Sequence, residues 1–167
     1  MKTGKMLLLA AGCAVLLCGC TKSNIVQPDE TIGPDFNMYN NIVIDPVQLA
    51  EDVDDIYLDE EDYPMASSIE EKLDLDNEKV DITVVVKDGT SKEDAAEYAM
   101  QVIKGVADQV AIQDFSYGES GEDTYGGLFQ DNVINIKIYE KSTYDEQGDP
   151  MYEGQIPKDT YQQIVIE

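Results

Sequence analysis

Histidine, arginine and tryptophan are all absent from this chain of 167 residues. Each absence closes a class of chemistry. Without imidazole, no side chain has an ordinary pKa near neutrality. Neither a Ser-His-Asp nor a Cys-His catalytic set can be assembled, and imidazole-ligated metals are excluded with them. Without guanidinium there is no bidentate clamp for phosphate or carboxylate. The eleven basic residues are all lysine. Cysteine is confined to Cys13, Cys18 and Cys20. The rest of the chain therefore has no thiol for a disulfide or a thiolate zinc site. Catalysis would fall to carboxylates, lysine, tyrosine or hydroxyls. The composition reads as non-enzymatic, with no cofactor.

What the chain has in excess is negative charge. The formal net charge is −24, with 35 Asp and Glu. Nucleic acid is a poor partner, because phosphates must be neutralised by cations. An anionic membrane surface repels the body for the same reason. A cationic envelope protein, a basic peptide, a divalent cation or a neutral glycan remains compatible. The plainest role of the charge is solubility.

The N-terminus has a different character. Lys2 and Lys5 precede an apolar run from Met6 to Leu17, interrupted only by Gly12. That run is shorter than the ~20 residues needed to span a bilayer. It fits the apolar region of a secretory signal peptide. The sequence Leu17-Cys18-Gly19-Cys20 resembles the lipobox of bacterial lipoproteins. The resemblance covers Met1 to Cys20 alone. It implies cleavage before Cys20, a signal peptide over 1–19, and a lipid on the Cys20 thiol. It further implies a chain held on the extracytoplasmic face of the cell membrane. In a Gram-negative host Thr21, standing where an aspartate marks inner-membrane retention, points to the outer membrane.

Beyond the lipobox, residues 20–63 read as an acidic tether carrying a possible short helix, and 64–167 as a small folded domain. Thr21 to Asn41 is polar and aperiodic, with Pro28, Gly33 and Pro34. Pro46 starts a weak helix with Leu49, Val53 and Ile56 or Tyr57 on one face. Met65, Ile69 and Leu73, at i, i+4 and i+8, predict a second weak helix.

The firm elements come later. Val80, Ile82, Val84 and Val86 alternate with more polar neighbours and predict a strand over 79–87. Asp88-Gly89 turns the chain. Ser91 and Asp94 predict a capping box, and a helix follows to about Gln109. Ala95, Ala99, Val102, Val106 and Val110 form its apolar stripe, and Gly105 within it points to close packing. Strands are expected at 111–117, 132–141 and 160–166. The fold class is therefore α+β: one main helix on a mostly antiparallel sheet of about four strands, a partial ferredoxin-like arrangement.

No motif announces a site. The acidic run Asp52 to Asp62 does not fit the EF-hand register and reads as a solvated segment. The helix start at Ser91 has no glycine-rich fingerprint and already carries Glu93 and Asp94. The best single patch for a partner is the Gly/Tyr loop, through Tyr117, Glu119, Glu122, Asp123, Tyr125 and Phe129, since loops carry function and tyrosine suits interfaces. The expected role is a lipid-anchored, non-enzymatic interaction or assembly module in the cell envelope. The rival reading is a carboxylate-based protein that binds or cleaves glycans through that loop. An accessory solute-binding lipoprotein ranks last, because the chain is short for a two-lobed binder.

Overall fold

The computed structural model describes residues 43–167. The expected signal peptide over 1–19, Cys20 and the expected tether over Thr21 to Asn41 lie outside the described residues. Helix α1 spans Pro46–Tyr57, and strand β1 spans Ala66–Asp74. A single 3-10 turn, Leu75–Asn77, links β1 to strand β2 at Lys79–Val86. Helix α2 spans Lys92–Gln113. The short helix α3 at Leu128–Asp131 precedes strand β3 at Val133–Glu140. Helix α4, Lys141–Asp145, leads to strand β4 at Tyr152–Ile156.

The strands lie in the order β1-β2-β3-β4. β1 and β4 run antiparallel to their neighbours, and β2 and β3 run parallel. The chain is an α+β fold with a mostly antiparallel sheet, as expected. Its α2 crossover joins adjacent parallel strands, whereas the ferredoxin-like arrangement splits its βαβ unit with an intervening strand.

Local chemistry explains the main helix. The Ser91 hydroxyl accepts from the Asp94 N–H at 3.0 Å and donates to the Asp94 carboxylate at 2.7 Å. Upstream, Gly89 sits at φ +81°, the left-handed geometry glycine takes without strain. Downstream nothing stops the helix at Gln109. Val110 continues the stripe, and the cap falls at Asp114. The strand expected at 111–117 is thus the last turn of α2 and a loop.

Two further expectations change. Residues 66–74 form a strand in place of the helix expected from Met65, Ile69 and Leu73, and 160–166 form no strand. The fourth strand is instead Tyr152–Ile156, where no element is expected from the sequence.

One face of the sheet carries Val80, Ile82, Val84 and Val86 of β2 and Ile134, Ile136 and Ile138 of β3, all buried. α2 covers it through Ala95, Ala99, Val102 and Val106, also buried. α1 packs beside α2 over β1, with Leu49 and Val53 fully buried in the same core. The division at residue 64 therefore cuts through the domain, because α1 belongs to it. The Asp45 side chain caps α1, accepting from Val47 N–H at 2.9 Å. Its own N–H donates to Gln113 Oε1 at 2.7 Å, tying the start of α1 to the end of α2. The C-terminal segment completes the cover: Ile164 joins the core beside α2.

Helices α1 and α2 approach closely at Gly105. A Cβ there would lie 2.6 Å from the Tyr57 hydroxyl and closer still to its ring. Tyr57 packs against Tyr63 at 5.3 Å between ring centroids, and Tyr63 against Tyr98 at 5.4 Å. The Tyr98 hydroxyl donates to the Tyr57 carbonyl at 2.8 Å. Burial is the first cause that pushes the Tyr57 phenol up to about 12, with the Tyr63 ring and the Asp108 carboxylate adding to it.

Candidate interaction face

Side chains alternate across a sheet, so the opposite face is built from the residues between the core positions. The register aligns Lys72, Asp81, Asn135 and Gln155 in one row across all four strands. Glu70, Thr83, Lys137 and Glu153 form the next, and Ser68, Val85 and Tyr139 a third.

The first row is hydrogen-bonded side chain to side chain. Gln155 Nε2 donates to Asn135 Oδ1 at 2.9 Å, and Asn135 Nδ2 donates to Asp81 Oδ1 at 2.7 Å. Lys79 lies 3.0 Å from the other oxygen of Asp81. Partial burial works against the Asp81 charge, but the Asn135 hydrogen bond and the Lys79 ammonium outweigh it and hold the carboxyl below its ordinary value. In the second row Lys137 pairs with Glu153 at 3.0 Å. Thr83 stands beside Lys137 in the same row, half-buried.

The third row is different. Val85 is fully buried, although it points away from the main core. α4 lies against β2 and β3 at this end. Its N-terminus is held by Asp88, which accepts from Ser142 N–H at 2.8 Å. The Tyr144 ring meets Tyr139 edge-on at 5.4 Å, and its hydroxyl donates to Glu70 on β1. Tyr144 thus lies over the third row, where Val85 is buried and Ser68 and Tyr139 stay half-buried. What stays open is a polar platform of two rows, bounded at one end by Tyr139 and Tyr144. Opposed donors and acceptors over a flat sheet can bind a polar partner surface. Two ion pairs, Lys79 with Asp81 and Lys137 with Glu153, lie on this face, and Lys72 stands opposite Asp81, so the face carries less net charge than the strongly acidic chain around it.

The Gly/Tyr loop divides. Glu119, Glu122 and Asp123 are exposed and Tyr117 is half-buried. Tyr125 and Phe129 are buried, which corrects their place in the patch. The Tyr125 hydroxyl donates to the Gln162 carbonyl at 2.6 Å, and its ring packs on Tyr161 at 5.0 Å and Phe129 at 6.5 Å. Both rings fill the gap between α2 and the C-terminal segment. Asp108 braces the loop, accepting from Ser120 N–H at 2.6 Å, and Lys104 donates to the Gly121 carbonyl at 2.5 Å. The acidic run Asp52 to Asp62 forms the end of α1 and a turn in which Asp59 accepts from Glu61 N–H at 2.7 Å. Among the described residues no three Cys, Asp or Glu side chains are grouped to hold a metal ion.

Thr83, Asn135 and Tyr139 lie on strands legible in the sequence. Glu70, Lys72, Glu153 and Gln155 escape sequence reasoning, because β1 carries a helix-like spacing and no element is expected over 152–156. Comparison with family models, curated proteins and solved structures finds no match to this chain.

Proposed function

We propose that this chain is a lipid-anchored cell-envelope protein whose domain is a non-enzymatic interaction module, engaging a polar partner surface through the open sheet face. The lipobox-like ending at Cys20 supports the anchor. The observation that carries the binding reading is the asymmetry of the sheet. α1, α2 and the C-terminal segment cover one face, while on the other two rows of polar side chains are left uncovered, with Gln155, Asn135, Asp81 and Lys79 linked in one chain and Lys137 paired with Glu153. A solvated sheet face needs no such ladder for solubility. A docking face gains from one, because fixed donors and acceptors lose little entropy on binding.

The test is a photo-cross-linking residue at Thr83 of the full chain, in cells, beside the same residue at Glu97 on the outward side of α2. The proposal expects a discrete adduct from Thr83 and none from Glu97. The adduct should fade when Asn135→Lys breaks the ladder. An adduct that forms from Glu122 or Asp123 and never from Thr83 moves the contact to the loop and overturns the assignment.

A further inference from the structure

The C-terminal segment is extended chain without a strand partner. Thr160 to Glu167 runs without turn or bend, and from Gln163 onward its burial alternates. Ile164 is buried, while Gln163 and Val165 are exposed, Val165 to 70 %. In an extended chain the backbone N–H and C=O of alternate residues point to opposite edges. One edge, carrying the groups of Gln162 and Ile164, is engaged. Tyr125 donates to the Gln162 carbonyl at 2.6 Å, and Ile164 N–H meets the Met100 sulfur at 3.5 Å. The other edge carries the backbone groups of Tyr161, Gln163 and Val165. Among the described residues none of these three has a hydrogen-bond partner, while at the end of the same edge the Glu167 carbonyl accepts from Lys92 Nζ. Such an edge is a template for another strand.

Charge selects the occupant. Residues 160–166 contain no charged side chain, in a chain of net charge −24. They are rich in β-formers, Ile164, Val165 and Ile166, with no proline or glycine. Most surfaces of so acidic a molecule repel a second copy, and this seam does not. It is also self-complementary. An antiparallel pair with Gln163 opposite Val165 of the partner subunit sets the two Ile164 residues face to face. Glu167 then lies opposite Tyr161 of the partner subunit, so no two like charges meet. This is an isologous two-fold contact.

We propose that two copies of this chain associate by antiparallel pairing of their C-terminal segments, Tyr161 to Glu167, through this free edge. The sheet face described above stays open on both copies, so the two surfaces act independently.

Sedimentation of the full chain in a neutral detergent, across concentration and NaCl, tests this. The expected result is a reversible dimer that tightens as salt screens the repulsion between two acidic bodies. An interface of ion pairs would weaken instead. Gln163→Pro with Val165→Pro removes two N–H donors from the free edge alone, and extended backbone tolerates proline. The dissociation constant should rise roughly tenfold or more, with the melting midpoint unchanged at concentrations where both proteins are monomeric. Hydrogen exchange of the unmodified chain gives a second reading that needs no variant. The amides of Gln163 and Val165 should become protected as concentration rises. A chain that stays monomeric at every concentration and salt overturns the proposal. So does a dimer that survives both prolines, or one whose formation leaves those two amides unprotected.

Discussion

Replacing Gly105 by Ala should destabilise the domain, against the ordinary preference of a helix. In a helix interior Ala is favoured over Gly by about 1 kcal/mol. At this position the new methyl group would sit 2.6 Å from the Tyr57 hydroxyl and nearer to its ring carbons. The ring must move, and forcing extra volume into a packed contact costs about 1–3 kcal/mol. If Tyr57 is expelled, its packing on Tyr63 goes too, at about 0.5–1.5 kcal/mol for an aromatic pair. The steric and packing losses exceed the propensity gain, so the net loss should be about 1–2 kcal/mol. For a domain of this size that lowers the melting midpoint by roughly 3–8 °C. The decisive assay is a double-mutant cycle with Tyr57→Ala, followed by thermal and urea unfolding. With the ring gone, Gly105→Ala should change sign and stabilise by up to about 1 kcal/mol. The coupling between the two sites should reach about 2 kcal/mol. If Gly105→Ala stabilises the unmodified domain, α1 does not pack on α2 as described.

Acidification offers a second test. Burial, then the Asp54 carboxylate, raises the Glu71 carboxyl above its ordinary value of 4.5. A raised folded pKa means ionised Glu71 opposes folding, and this penalty is relieved as pH falls through the folded value toward 4.5. Asp81 acts in the opposite sense. Its depressed carboxyl contributes stability above its ordinary value of 3.8, lost as pH falls through the lower folded value. Stability should therefore rise on mild acidification and fall only in stronger acid; Glu71→Gln should stabilise at neutral pH and flatten the rise, and a monotonic loss of stability from neutral pH downward would contradict this. Leu49→Ala empties a fully buried position in α1 and should cost about 2–5 kcal/mol. Removing residues through Asn41 should leave the urea midpoint almost unchanged, and equal effects from the two changes would mean α1 is not part of the core. Cys20→Ala should release the protein from membranes or leave it unprocessed, as fractionation will read, because two acyl chains anchor a protein stably where one does so marginally. A processed, membrane-bound variant would refute the lipid.

What the sequence disclosed follows from which signals are local. The alternation of Val80 to Val86, the hydroxyl of Ser91 and the small-residue stripe of α2 each act within a few residues, and each formed as read. Three errors share a cause in pairing. Met65, Ile69 and Leu73 are four apart, a spacing that fits a helical period near 3.6 and a strand period of 2 equally. Only the β2 partner decides it, and the register slip between Ala66 and Ser68 blurs the alternation further. Glu71 hides the pattern again, since it occupies a core-facing position where Ile82 is its neighbour. Tyr152 to Ile156 is interrupted by Gly154 and flanked by Pro150 and Pro157, which locally signal a loop. Conversely, 160–166 has the composition of a strand and found no neighbour in the sheet. In the candidate site, Tyr125 and Phe129 were read by type as interface residues. Aromatic rings serve a core as readily, and three-dimensional proximity to Tyr161 decides between them.

The most direct test of the open sheet face as the docking surface is lysine footprinting of the full chain in its cells, against the purified protein. Lys72, Lys79 and Lys137 lie on that face, and Lys87 and Lys92 lie elsewhere. Docking on the face predicts that the first three are acylated more slowly in cells than in isolation, while Lys87 and Lys92 react alike in both. Equal reactivity of Lys72, Lys79 and Lys137 in the two settings, or protection confined to the other two, would contradict it.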